Sequence, residues 1–219
     1  MSIRLPVDHV VVLVPDLDAA GAAFEAAGLH VTPKTMHSAT MGTANRCVML
    51  DGSYIEIMGI VAETSANATW RKLLSDGAGI RGLALRSNDI EVSARVLAQH
   101  ATPAAPVRQF SRMTADGELR FSITRIDPAA TPGLQCLVCQ HHTADLLWLP
   151  QTMMHANGAA HLASIALPQA GSLSALPDDE AGASTAIETG SARLTLSGAS
   201  AQYHDLRASC GIELEIVPV

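Results

Sequence analysis

Residues 8–16 read Asp8-His9-Val10-Val11-Val12-Leu13-Val14-Pro15-Asp16, and residues 81–89 read Arg81-Gly82-Leu83-Ala84-Leu85-Arg86-Ser87-Asn88-Asp89. Each stretch leads from an apolar strand into an acidic helix start. An Ala-rich segment follows in both, Leu17 to Gly28 and Ile90 to Ala101. A strand–helix unit that recurs in this way predicts a duplicated fold. The copies differ at the head of the strand, where His9 stands in the first and Gly82 in the second.

Around the first stretch, Val10 to Val14 is a continuous apolar run suited to a buried strand. Pro15 and Asp16 end it and start a helix, Leu17, Ala20, Phe24 and Ala27 share one helical face, and Gly28 stops the helix. Strands are predicted over 29–35, 45–50 and 54–61, the last two joined by the turn pair Asp51-Gly52. The order is β-α-β-β-β. The second copy repeats it: a strand over 82–85, a helix capped by Asn88 or Asp89, and strands over 107–113, 119–126 and 134–140. A short helix is expected around Trp70 to Leu74 in the connection. Beyond Gln140 the pattern loosens. Strands are predicted over 161–167, 192–196 and 212–217, mostly loop over 168–191, and a helix over 202–210. The passage Leu206 to Glu213 is similar to Phe24 to His30, as in an incomplete third copy. The expected division is a first module over 1–62, a linker over 63–78, a second module over 79–145 and a C-terminal extension or partial module over 146–219. The fold class is α+β.

The chain has 219 residues, 48% of them hydrophobic and only 3% aromatic, which predicts a globular core of small aliphatic side chains. A net charge of −7 opposes general nucleic-acid binding. No apolar run reaches membrane-spanning length, and the first strand begins too soon for a signal peptide, so no membrane association and a cytoplasmic location are expected. Cys136 and Cys139 have the spacing of half a zinc site, but residues three apart on a strand face opposite sides, so they read as buried small hydrophobes. No phosphate loop, nucleophile elbow or dinucleotide fingerprint appears.

Several residues together give the chain a family likeness: Asp8-His9-Val10-Val11; His37 with Gly42-Thr43-Ala44-Asn45; Tyr54-Ile55-Glu56; Gln140-His141-His142-Thr143; and Trp148 with His155-Ala156-Asn157-Gly158. With these motifs, residues 5 to 165 resemble the vicinal oxygen chelate superfamily, especially its glyoxalase-like subgroup. The resemblance implies paired βαβββ modules whose sheet curls into a cleft for a small, oxygen-rich molecule. It implies lyase, isomerase, epimerase or dioxygenase chemistry in some members and metal-free sequestration of a ligand in others, so the fold alone does not fix the reaction. Carried over by position, His9 matches the first-strand metal ligand and Glu56 the fourth-strand carboxylate. Gly82 and Gln140 stand at the corresponding places of the second module.

Two readings of the chemistry follow. In one, a divalent metal (Zn, Fe, Mn or Ni) is held by His9, Glu56 and His142, a set of two imidazoles and one carboxylate. It requires Gln140 and His142 to face the cleft and His141 to face away. Glu56 and His142 would then serve catalysis. In the other reading no metal is present. His9 and Glu56 pair in a polar pocket, and His142 bonds a substrate carboxylate or a backbone carbonyl. His37, Asn45, Arg46, Arg81, Gln140 and Trp148 are the candidate substrate-binding residues. The arginines suit a carboxylate, and Trp148 suits a cleft wall. For Asn45, Arg46 and Arg81 a turn with exposed arginines reads equally well. His155, Asn157 and Gly158 read as a structural turn. A second site from His161, Glu213 and Glu215 would need a complete third module. Open sheet edges invite partners and allow a homodimer, and the sequence leaves the oligomeric state open.

Overall fold

In the computed structural model, which describes residues 5–175 and 185–219, the duplicated pattern forms one continuous sheet. The first copy supplies β1 (Val7–Val14), α1 (Leu17–Ala26), β2 (Thr35–Met36), β3 (Thr43–Leu50) and β4 (Ser53–Ile60). After α2 (Ala68–Ser75), the second supplies β5 (Gly79–Arg86), α3 (Ile90–Gln99), β6 (Arg108–Thr114), β7 (Gly117–Arg125) and β8 (Gln135–His141). The strand order β2-β3-β4-β1-β5-β8-β7-β6 is mirrored about its centre, where β1 and β5 run antiparallel. This is the paired βαβββ arrangement, curled around a cleft.

The helices start where the sequence places them. Asp16 and Asp89 each cap a helix by accepting two backbone N–H groups. Leu17, Ala20 and Phe24 of α1 are buried against Val10, Val12, Ile55 and Ile57 on one face of the sheet. The opposite face of the same strands carries His9, Asn45, Tyr54 and Glu56 and lines the cleft. Strand alternation thus divides each strand between core and cleft. Leu29 to Lys34 is not a strand, although Thr32 still bonds Cys47 through both its backbone N–H and its hydroxyl. Pro33 removes a donor from that stretch.

The C-terminal part forms a second sheet, β10-β9-β11-β13-β12, from β9 (His161–Leu167), β10 (Ala186–Thr189), β11 (Arg193–Gly198), β12 (Gln202–Leu206) and β13 (Ile212–Pro218). Its buried face, with Ile165, Leu194, Leu196 and Leu214, belongs to the same apolar cluster as Phe24 and Ile55. The helix predicted over 202–210 is corrected: only Arg207–Cys210 is helical (α4), and Gln202–Leu206 pairs antiparallel with β13. Five residues cannot bury a helical stripe, whereas a strand lets the neighbouring backbone satisfy theirs. Part of the predicted loop, 176–184, lies outside the described residues.

His155 and Asn157 hold the second sheet to the first module. His155 accepts a bond from His30 N (2.9 Å) and bonds Met49 O (2.8 Å), and Asn157 Nδ2 donates to Ala27 O (2.7 Å). His161 is exposed, while Glu213 and Glu215 pair with Arg207 and Arg193, so these residues do not converge on a site.

Candidate active site

The site begins with an irregularity in β1. Val7 pairs with Leu85 and His9 with Ala84, so Asp8 is one residue more than β5 can match. Such a bulge re-aims side chains. Asp8 is fully buried; its carboxylate receives His9 Nδ1 (2.7 Å), His141 Nε2 (3.0 Å) and Arg86 Nε (2.8 Å). Burial by itself would raise the Asp8 titration, but the hydrogen bonds and charges of His141 and His9 outweigh it and hold the carboxyl well below its ordinary range. Tyr54 stacks on the His9 ring at 4.4 Å, which fixes the imidazole from a second side.

With Nδ1 engaged by Asp8, His9 turns Nε2 toward Glu56, 3.6 Å from Oε2. His37 bonds Thr43 Oγ1 at 2.7 Å through Nδ1 and turns its own Nε2 toward Glu56 Oε1, also at 3.6 Å. Asn45 Nδ2 donates to Oε1 at 2.7 Å and sets the plane of the carboxylate. Burial first, then the Arg112 charge, pushes the His37 titration down against the pull of Glu56, so its imidazole is neutral near neutral pH. The result is a carboxylate between two imidazole nitrogens, each just beyond hydrogen-bonding distance.

This group opens into a cleft of about 240 Å³. Met36, Met41, Phe110, Phe121 and Leu147 give it apolar walls, and Arg112 and Arg125 line the side contributed by β6 and β7.

Of the residues singled out from sequence, His9, His37, Asn45 and Glu56 come together here. The expected orientation of β8 is reversed. Cys136 and Val138 lie in the helix-side core, and Gln140 follows them, accepting from Ile90 N (3.1 Å) and donating to Asn88 O (2.8 Å) at the start of α3. His142 shares that side and bonds Ser122 Oγ at 2.7 Å, away from Glu56. His141 is the imidazole that faces the cleft. The register shows the same shift. His9 lies opposite Tyr54 and Gly82 opposite Gln135, so Leu137, rather than Gln140, takes the place of Glu56 in the second module. Arg46 reaches to the helix side, bonding Thr32 O and Glu25, and Arg81 is occupied by the carbonyls of Asp76 and Gly77. Trp148 backs the cluster from outside: its indole donates to Leu50 O, and its ring meets His141 edge-on at 5.1 Å with Arg86 over its face. Sequence reasoning passed over Asp8, His141 and Arg112 as site residues. A pair of ionisable residues at the head of an otherwise apolar strand was the signal for Asp8. Neither of the others has a local one.

The model of the glyoxalase-like domain family matches residues 7–172. The chain belongs to this family, within the vicinal oxygen chelate superfamily. A crystal structure of a hypothetical protein from Staphylococcus aureus is similar over 98% of this chain and 100% of that one, with TM-score 0.73 and 14% identity. Methylmalonyl-CoA epimerase of Streptomyces coelicolor matches over 65% of this chain and 100% of its own, with TM-score 0.50 and 21% identity. The enzyme of that name from Mycobacterium tuberculosis matches over 64% and 90%, with TM-score 0.50 and 22% identity. No curated protein matches. At these identities the solved structures support the fold. No described helix is long and apolar enough to cross a membrane.

Family membership raises the question of a metal, and the donor set does not fit one at the family position. Gly82 and Leu137 offer no ligating atom. A Cβ at Gly82 would stand 2.9 Å from the Trp70 ring of α2, which fills the space a second-module ligand would need. His9, Glu56 and His37 meet through different oxygens of Glu56 and do not bring three donor atoms within 4.8 Å of one another; among the described residues the group that does is Asp8, Cys139 and His141. There Asp8 is already bonded to two imidazoles and a guanidinium.

Proposed function

We propose that the cleft binds a small carbonyl compound and moves a proton on the carbon beside the carbonyl, in an isomerase- or epimerase-type reaction run by side chains. The observation that carries this reading is the Glu56 side chain, 12% exposed and held between the Nε2 atoms of His9 and His37 at 3.6 Å each, facing the cleft. Glu56 takes the proton from carbon, and the electron pair of that C–H bond moves onto the carbonyl oxygen. His9, whose Nδ1–H is held by the Asp8 carboxylate, acts in its imidazolium form, donating from Nε2–H to that oxygen as it gains charge. Return of the proton to carbon, or to the adjacent atom, completes the turnover, and no redox partner is needed. The structural neighbours named epimerases are consistent with proton transfer of this kind.

The test is proton exchange in D2O, followed by NMR, with 4-phenyl-2-oxobutanoate as probe. The wild type should speed deuterium incorporation at C3. Glu56→Gln should slow it by about 10²–10⁴-fold, the range of general acid–base catalysis. Exchange no faster than in buffer, with the probe bound, would instead favour a sequestering protein. Metal analysis of protein purified without chelators checks the side-chain mechanism. About one transition metal per chain, lost on His9→Ala or Glu56→Ala, would replace it with metal chemistry.

A further inference from the structure

Arg112 and Arg125 bring positive charge into the cleft, and the described residues supply little to answer it. Arg112 on β6 lies opposite Leu119 of β7, on the strand faces that also carry Phe110, Phe121, Ile123 and Arg125 and line the cleft. Arg112 is partly buried, and its Nε, buried within the wall, has no hydrogen-bond partner among the described residues. The Glu56 carboxylate, which shares the cleft, is held instead by Asn45 and lies between His9 and His37. The field of Arg112 reaches that end of the cleft, lowering the His37 titration and opposing the rise at Cys47. Arg125 on the same wall is partly buried, and its guanidinium lies 4.0 Å from the Met41 sulfur.

A guanidinium does not lose its proton in a protein, and buried charges are almost always paired. An unanswered guanidinium edge in a ligand-sized cleft therefore points to an anion brought by the ligand. A carboxylate matches the planar N–H fork with two parallel bonds. The other walls are apolar, made by Met36, Met41, Phe110, Phe121 and Leu147, and suit the remainder of the molecule.

We propose that the ligand of this cleft is a small carboxylic acid with an apolar body, its carboxylate docked on Arg112 with Arg125 beside it and its reacting carbon toward Glu56. This rests on the proton-transfer reading for the orientation, while the carboxylate dock stands on the unpaired arginine.

Titration calorimetry tests it without turnover. The probes are 4-phenylbutanoate, its neutral isostere 4-phenylbutanamide and inorganic phosphate, against wild type, Arg112→Gln and Arg112→Lys, each first shown by circular dichroism to melt cooperatively. The acid should bind the wild type about tenfold or more tighter than the amide. Arg112→Gln should remove that preference by lowering the affinity for the acid to about that for the amide, and Arg112→Lys, which keeps the charge but loses the fork, should fall between. Equal affinity for acid and amide, a preference that survives Arg112→Gln, or no binding of the acid at millimolar concentration would each overturn the proposal. Phosphate binding tighter than the acid and lost in Arg112→Gln would overturn it in favour of a phosphate ester. The two readings fail separately. Acid preference without deuterium exchange would sink only the reaction, whereas exchange of neutral 4-phenyl-2-butanone as fast as the oxo acid would sink only the carboxylate dock.

Discussion

Asp8 fixes the direction in which two imidazoles point, and its loss should be felt in both stability and chemistry. Removing one member of a buried ion-paired group leaves the others unanswered, so Asp8→Ala should cost about 3–5 kcal/mol in urea unfolding. The pH dependence has a definite sign. The folded Asp8 carboxyl titrates below its unfolded value of 3.8, so its contribution is complete above that pH and is lost as pH falls toward the folded value. Between pH 4 and 2 the wild type should therefore lose more stability than Asp8→Asn. His37 has the same sign in another window. Its folded titration lies below 6.5, so burying the neutral ring stabilises above that pH, and the benefit fades on acidification. His37→Gln should flatten the melting temperature between pH 6.5 and 5.

At the scale of elements, β8 shows where alternation informs and where it misleads. The period of two correctly ties residues 140 and 142 to one side and separates Cys136 from Cys139. It does not say which side faces the cleft, because most of β8 is buried on both faces and residues 134–139 are apolar apart from Gln135. That choice is made by Gln140, whose amide satisfies the backbone at the start of α3. Likewise Gly82 was legible as a missing ligand, but not the reason for it, since Trp70 arrives from a connecting helix. Gly82→His should consequently not create a metal site. It should cost about 1–3 kcal/mol by overpacking against Trp70, with no gain in melting temperature on adding zinc or nickel. For β12, a short stretch of mixed polarity resembled a helix, and only the pairing with β13 decides it.

At the scale of the whole molecule, the duplication written in residues 8–28 and 81–101 becomes the mirrored strand order, and the family was readable from it. The arrangement of the C-terminal sheet was not, because its contacts with the first module join residues far apart in the chain, such as Asn157 with Ala27 and Asp51 with Ala160. A chain ending at residue 160 would expose the apolar side of α1 that packs near α4 and should lose cooperative melting by circular dichroism. Duplication followed by divergence leaves the Glu56 group in one module and Arg112 and Arg125 in the other, with apolar walls drawn from both, and the proposed chemistry divides along the same line. Deuterium exchange at C3 of 4-phenyl-2-oxobutanoate tests this division of labour most directly. Exchange accelerated by the wild type, slowed by Glu56→Gln and unaffected by removing trace metals is the result predicted here; exchange that persists in Glu56→Gln, or that requires a metal, would contradict it.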